Sequence, residues 1–283
     1  MRAEPSSAQP SRYIGTDGWR EMHTAATLQN EGDGRDRVTH PLRTVLRQGG
    51  YAQVKCSTCK LQAICLSAGL DAEAMRQVDE FVISRNRLKK GETLFRIGDR
   101  FTSLYAIRSG SCKTVSLSED GHDQVSGYHM PGDVIGIDGL GADSHEYQAV
   151  ALEDTEVCTM PFERIEALAG HHAGFQHNLY RLLSREIARE RTLMLLLGSM
   201  HADQRLAAFL LDLSQRYEVR GYSSSEFVLR MTRDEIGSYL GLKLETVSRL
   251  FSRFQREGLI QFQGRVVKLL DRVSLKRLIA CPD

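Results

Sequence analysis

The sequence predicts an α+β fold: an antiparallel barrel or jelly roll, then a long helix, then a C-terminal helix-turn-helix with a wing. Three patterns carry that prediction. Between residues 91 and 161 short β-type runs alternate with turn residues, the rhythm of an antiparallel barrel or roll. Over 175–200 a seam of positions recurs at alternating steps of four and three, a heptad-like spacing. Beyond Thr232 the chain reads helix, glycine, helix, hairpin. At 283 residues there is room for one large or two ordinary domains.

Residues 1–50 are polar, glycine-containing and without sustained periodicity, with an isolated Trp19, so a largely disordered tail is expected. A Cys-rich stretch follows over 51–69, and Met75, Val78, Phe81 and Val82 give 71–83 helical spacing. The β-type runs are 93–96, 104–107, 113–117, 124–128, 147–151 and 157–160. Turns are expected at Gly98-Asp99, Ser109-Gly110, Glu119-Asp120-Gly121 and Pro131-Gly132-Asp133. The heptad-like seam runs through Leu179, Leu183, Glu186, Glu190, Leu193 and Leu197. It is longer than an average globular helix, which points to a helix that pairs with its copy in a homodimer. Glu186 and Glu190 would then face their symmetry mates, a like-charge penalty that suggests a dimer switch. The alternative puts both acids on the wet edge and the seam on Leu182, Ile187, Leu193 and Leu196.

Thr232 and Glu235 form a capping box for the first C-terminal helix, Ile236 and Leu240 give it an apolar face, and Gly241 ends it. A second helix over 244–257 packs through Val247, Leu250, Phe251 and Phe254 and leaves Glu245, Ser248, Arg249 and Arg253 outward; Gly258 stops it. Gln263-Gly264 is the expected tip of the wing. The chain therefore divides into a tail (1–50), a Cys-rich loop with a β domain (51–170), a long dimerisation helix (171–200) and a winged helix-turn-helix domain (201–283).

Charge is unevenly placed. Lys and Arg total 37 against 36 Asp and Glu, yet residues 91–170 hold 5 basic and 14 acidic side chains, whereas 227–283 hold 11 and 6. A basic C-terminal end beside an acidic middle suits one domain meeting a polyanion; two solvated surfaces would look the same. The longest apolar run, 206–211, is six residues, where a membrane span needs about 20. The first fifty residues carry no apolar export signal, so a cytoplasmic location, no membrane partner and reduced thiols are expected.

Two groups of residues carry chemistry. Arg249 suits guanine O6/N7, Glu245 accepts from cytosine N4 and Ser248 is tolerant, so the second helix has the composition of one that reads a major groove in double-stranded DNA. A bare intrahelical ion pair between Glu245 and Arg249 is the alternative. Cys56, Cys59 and Cys65 follow a C-x2-C-x5-C spacing, which suits zinc or an iron–sulfur cluster with a fourth ligand from Cys112, Cys158 or Cys281.

Taken together, the Cys trio, Leu104-Tyr105-Ala106-Ile107-Arg108-Ser109-Gly110, Val157-Cys158-Thr159-Met160-Pro161-Phe162 and Leu244-Glu245-Thr246-Val247-Ser248-Arg249 closely resemble the FNR branch of the CRP/FNR family of bacterial transcription regulators. The resemblance runs from about Gln53 to the C-terminus. It implies a cyclic-nucleotide-type β-roll and an oxygen-labile 4Fe–4S cluster held by Cys56, Cys59, Cys65 and Cys158. Two departures from the CRP branch are visible. Gly136-Ile137-Asp138-Gly139 through His145-Glu146-Tyr147-Gln148-Ala149 has no Arg for a nucleotide phosphate and adds carboxylates, so no cyclic nucleotide is expected. Leu244 stands where that branch has an Arg, and its apolar side chain suits a thymine methyl, as in readers of palindromic sites with TTGAT half-sites.

The expected protein is thus a non-enzymatic, oxygen-responsive regulator that binds DNA as a homodimer once its cluster is assembled and controls the switch to anaerobic metabolism. Leu244, Glu245, Ser248 and Arg249 would contact bases, and Thr232, Arg233, Lys243 and Arg253 phosphates. The hairpin around residues 116–125 would touch RNA polymerase. A zinc-stabilised constitutive DNA-binding regulator is the rival.

Overall fold

Asp71 caps the first helix: its carboxylate accepts from Ala74 N at 2.8 Å, and α1 (Ala72–Phe81) buries Ala74, Met75, Val78 and Phe81. A computed structural model describes residues 55–82, 84–117 and 123–280. The tail 1–50, the Glu119-Asp120-Gly121 turn and Cys281 lie outside them. Two short 3-10 turns, Cys56–Thr58 and Gln62–Ile64, precede α1.

Eight strands follow: β1 (Ser84–Leu88), β2 (Thr93–Phe95), β3 (Ser103–Ser109), β4 (Cys112–Leu117), β5 (Asp123–His129), β6 (Val134–Ile135), β7 (Gln148–Ala151) and β8 (Thr155–Pro161). They form two antiparallel sheets, ordered β1-β8-β3-β6 and β2-β7-β4-β5. Each of the six β-type runs expected from the sequence falls on one of these strands. Two strands escape that reading for physical reasons: β1 is the edge strand Ser-Arg-Asn-Arg-Leu with little apolar alternation, and β6 is two residues long. Phe95, Ile107, Cys112, Ile135, Ala149 and Val157 pack between the sheets. A second cluster joins Leu104, Ala106, Val134 and Met160 to Val78 and Phe81 of α1.

The chain then runs through α2 (Phe162–His171) into α3 (Ala173–Ser199), the long helix of the seam. The C-terminal domain comprises α4 (Ala202–Val219), β9 (Glu226–Val228), α5 (Arg233–Leu240), α6 (Leu244–Arg256), β10 (Ile260–Gln263), β11 (Val266–Leu269) and α7 (Arg272–Ala280). The wing is a three-stranded sheet, β10-β11-β9, because β9 adds to the expected hairpin. Helices α2, α4 and α7 and strand β9 were not assigned from the sequence.

This domain is not separate from the roll. Its core, including Leu206, Leu210, Ile236, Leu240, Phe251 and Phe254, is continuous with Val115, Val125, Tyr128 and Met130 of β4 and β5 and the turn after them. Polar ties reinforce the join. Lys113 Nζ meets Glu235 Oε1 at 2.8 Å, Val125 N donates to Ser238 Oγ at 2.8 Å, and Gln124 Nε2 donates to Ser238 O. At the hinge after α3, Arg205 donates to the carbonyls of Leu197, Met200 and Leu240 at 2.7, 2.9 and 3.1 Å. It thereby satisfies acceptors that two helix ends leave open.

A further tie is ionic. Asp133, after the β5–β6 turn, accepts from Met130 N, Arg216 Nη2 and Arg220 Nη2 at 2.8, 2.7 and 2.7 Å. Burial alone would raise its pKa, but Arg216, Arg220 and Arg189 hold it well below the usual carboxylate range.

Nearby, His129 is buried, with Nε2 at 3.1 Å from the Thr114 hydroxyl. Ser126 Oγ donates to the same hydroxyl at 3.1 Å. Burial, with Arg189 beside it, pushes the His129 pKa down to about 3. The folded form is therefore neutral while the unfolded chain takes up a proton below about pH 6.5. Stability should fall as the pH drops through that value, by at most about 1.4 kcal/mol per pH unit from this residue. Thermal unfolding between pH 7 and pH 5 is expected to show a shallower decline for His129→Gln than for the parent, and an equal decline in both would contradict the assignment.

Candidate thiol site and nucleic-acid interface

The local fold delivers the Cys trio on a short loop fixed at both ends. Cys56 opens the first 3-10 turn and Cys59 closes it, its N–H reaching Cys56 O at 3.0 Å; Cys65 follows the second turn. Ser57 binds Asp79 of α1 through both N and Oγ, at 3.1 and 2.6 Å. Asn178 of α3 donates to the carbonyls of Leu66 and Ala68 at 3.1 and 2.7 Å. Cys158 comes from β8, between Arg85 on β1 and Ala106 on β3.

Electrostatics show that the four thiols share one neighbourhood. Burial pushes Cys56 up to about 12, with further upward pushes from Cys65, Cys158 and Cys59. Burial likewise takes Cys65 to about 11, and Cys158 and Cys59 add to it. Cys158 is raised by burial against the pull of Arg108, with Cys59 also raising it. Thiols in this state are protonated, and only a metal or added positive charge turns them into ligands. Positive charge stands alongside in Arg85 and Arg108, which share Glu156 at 3.7 and 3.6 Å, while Arg85 Nη2 and Arg108 Nη1 are buried without a hydrogen bond. Among the described residues, no three His, Cys, Asp or Glu side chains converge tightly enough to hold a single ion. Of the three cysteines left open as a fourth ligand, Cys158 acts on the trio. Cys112 is buried in β4, its thiol raised to about 12 by burial, and none of the trio acts on it. Cys281 lies outside the described residues.

The second site is built on α5 and α6. Thr232 Oγ1 accepts from Glu235 N at 3.2 Å and Glu235 Oε2 accepts from Thr232 N at 2.7 Å, the reciprocal capping box. Gly241 ends α5 in the left-handed region at φ 62°, and a Cβ on Gly237 would lie 2.5 Å from Leu242 O. The turn thus needs both glycines. Val247, Phe251 and Phe254 are buried beneath α6, which leaves Leu244, Glu245 and Arg249 exposed and Ser248 half-buried. Arg249 Nε donates to the Glu245 carbonyl at 3.3 Å; among the described residues no ion pair joins their charged groups.

The four residues expected at phosphates divide. Lys243 is exposed at the start of α6. Arg253 is paired with Asp203 and Glu257 at 3.2 and 2.8 Å. Thr232 serves the cap. Arg233 stacks its guanidinium 3.2 Å from the Phe251 ring centroid, and burial lowers its pKa to about 10. Sequence spacing gave no signal for that stacking.

A cleft of about 400 Å³ lies between the roll and α3, lined by His129, Asp138, Glu146, Glu186, Arg189 and Glu190 among others. Asp138 accepts from the backbone N–H of Glu146 and Tyr147 at 2.8 and 3.2 Å and stands 3.3 Å from His145 Nδ1. The chain's own carboxylate occupies these amide donors. Glu186, whose pKa is raised by burial, pairs with Arg189 at 3.0 Å. The exposed apolar stripe of α3 is instead Tyr180, Ile187, Met194 and Leu195, the last three 52%, 73% and 67% exposed. Glu186 and Glu190 border the cleft together with Ile187 of that stripe.

Comparison with known proteins matches residues 85–172 to a cyclic nucleotide-binding domain and 204–278 to a Crp-like helix-turn-helix domain. The chain is 48% identical to the transcriptional regulatory protein btr of Bordetella pertussis, over 79% of this chain and 93% of that protein. It is 38% identical to the fumarate and nitrate reduction regulatory protein of Escherichia coli K12, over 84% and 96%. The chain belongs to the FNR branch of the CRP/FNR family. Among solved structures, FixK2 from Bradyrhizobium japonicum is similar with a TM-score of 0.65 and 31% identity, over 71% of this chain and 98% of that one. As a CRP/FNR member the chain is a DNA-binding transcription regulator and not an enzyme. Among the described residues no helix is long and apolar enough to cross a membrane.

The capping and turn geometry is directly testable. Thr232→Ala is expected to cost about 1 kcal/mol by loss of the cap, and Gly237→Ala more, because its methyl meets a backbone carbonyl. Chemical denaturation of both variants checks the order.

Proposed function

We propose that this CRP/FNR regulator is oxygen-responsive, binds DNA as a homodimer when a 4Fe–4S cluster is held by Cys56, Cys59, Cys65 and Cys158, and so controls the switch to anaerobic metabolism. The observation that carries the reading is the thiol site: Cys56, Cys59, Cys65 and Cys158 stand within electrostatic reach of one another, with Arg108 acting on Cys158. That set fits an anionic cluster. When bound, the cluster would supply an oxygen-labile crosslink between the loop and β8. The chain's own part is to hold the loop, through Asp79 and Asn178, and to supply positive charge from Arg85 and Arg108.

The exposed stripe of α3 supports pairing with a second copy, which would set two recognition helices about 34 Å apart on one face of DNA. We assign Leu244 to a thymine methyl, Glu245 and Arg249 to cytosine and guanine, and Ser248 to a tolerant contact, in sites with TTGAT half-sites. Lys243 and Arg253 would meet phosphates, with Thr232 and Arg233 beside them. Glu186 and Glu190 enter as like charges that would oppose pairing of α3 with a second copy, a cost that cluster assembly would offset. Asp138 on the amides of Glu146 and Tyr147 supports a roll that takes no cyclic nucleotide. An RNA polymerase contact is assigned to the β4–β5 hairpin, where Leu117 is exposed.

Anaerobically purified protein should be straw-brown, with iron and sulfide in equal amounts. Each of Cys56→Ser, Cys59→Ser, Cys65→Ser and Cys158→Ser should lose both, while Cys112→Ser keeps them. A colourless, zinc-bearing protein would refute the cluster and leave the zinc-stabilised regulator. On DNA, Arg249→Ala should lose roughly 1–3 kcal/mol and relax the choice at one guanine. Lys243→Ala should weaken all duplexes alike and lower the salt slope by about one.

A further inference from the structure

One turn of the roll is touched from two sides. Ile64, the residue before Cys65, lies against Gly132: a Cβ built on that glycine, whose φ is 91°, would be 2.6 Å from Ile64 Cδ1. On the other side the neighbouring Asp133 holds α4. Arg216 Nη2 donates both to Asp133 Oδ2 and to Tyr128 O, each at 2.7 Å. Arg220 Nη2 donates to Asp133 Oδ1 at 2.7 Å while its Nε donates to Pro131 O at 2.6 Å. Arg189 of α3 adds a longer contact of 3.7 Å. A void of about 30 Å³ borders Ile64, Cys65, Gly132, Asp133, Asn178 and Arg189, while the turn is tied to β3 by Gly132 N to Ile107 O at 2.7 Å and Ile107 N to Asp133 O at 2.9 Å.

We infer that Asp133 is a positioning residue for DNA binding: it fixes the angle of the helix-turn-helix domain on the roll, and Ile64, through Gly132, sets where Asp133 stands. A buried carboxylate between two guanidiniums admits few geometries, because any displaced bond leaves a buried charge unpaired. Apolar contact alone tolerates sliding. Since α4 shares its core with α5 and α6, an angle fixed at Arg216 and Arg220 is carried to the recognition helix as a rigid body. In a dimer that angle sets the distance between two recognition helices, hence the half-site spacing that is accepted. The link through Ile64 rests on the proposed sensing role of the thiol loop; the role of Asp133 does not.

The test measures affinity of the full-length, anaerobically purified protein for two duplexes: a palindromic site with TTGAT half-sites, and the same site with one base pair inserted at its centre. The parent should prefer the first. Asp133→Asn should shrink that preference about tenfold, within the range for directly contacting groups. Ile64→Ala should do the same, and the double variant should lose no more than either alone. Arg220→Lys, which keeps the charge, should retain most of the preference that Arg220→Gln loses; this pair carries the comparison if Asp133→Asn does not fold. Equal weakening on both duplexes, or additive losses in the double variant, would overturn the inference. A parent without iron or sulfide that still prefers the natural spacing would sink the cluster reading and leave the role of Asp133 standing.

Discussion

The join between the roll and the DNA-binding domain depends on a buried carboxylate being fully satisfied. An unpaired Asp at this depth would be protonated or would destabilise the fold. Asp133 keeps its charge because the turn supplies Met130 N and α4 supplies two guanidiniums that also reach Tyr128 O, Pro131 O and Arg216 O, while Arg216 Nε is buried without a hydrogen bond. The surrounding apolar core then has one way to close. Val125, Tyr128 and Met130 meet Leu210 and its neighbours in the arrangement those ionic bonds dictate. Lys113 with Glu235, and Arg205 at the hinge, act on the same relation from other sides.

The thiol site follows the opposite logic. Cys56, Cys65 and Cys158 lie where burial disfavours the thiolate, and Arg85 and Arg108 beside them share one carboxylate, Glu156, at 3.7 and 3.6 Å. Protonated thiols in this setting become ligands only when a metal or added positive charge stabilises their thiolates. The cleft beside α3 is the reverse case. There Asp138 already occupies the backbone donors, so that part of the roll is satisfied without a ligand.

Much of this was legible in the sequence where local rules decide. The Thr232–Glu235 box, the left-handed Gly241 and the Val247–Phe251–Phe254 face each follow from short-range geometry, and the structure has them as expected. The Cys trio was visible because thiols so close together have few structural uses. Long-range matters were not. Asp133 reads only as a turn residue in Pro131-Gly132-Asp133, since nothing local announces Arg216 and Arg220. Strand β1 carries too little apolar alternation to declare itself, and α4 was noticed only as an apolar run. The spacing of Glu186 and Glu190 fits a heptad whether that face meets a second copy or the chain's own roll, and periodicity cannot separate the two. The stacking of Arg233 on Phe251 was not legible, because it depends on how α5 crosses α6.

The position of Cys158 has a consequence for how the protein is made. The trio precedes the first strand of the roll, whereas Cys158 lies on the last, and it stands beside them only once β8 has paired with both β1 and β3. A chain growing from the ribosome exposes Cys56, Cys59 and Cys65 long before their partner is synthesised. An incomplete chain therefore has three thiols and no enclosing sheet, and the four-thiol set exists only in a finished roll. Completion of the four-thiol set is in this sense a mark of finished synthesis, separating whole rolls from fragments.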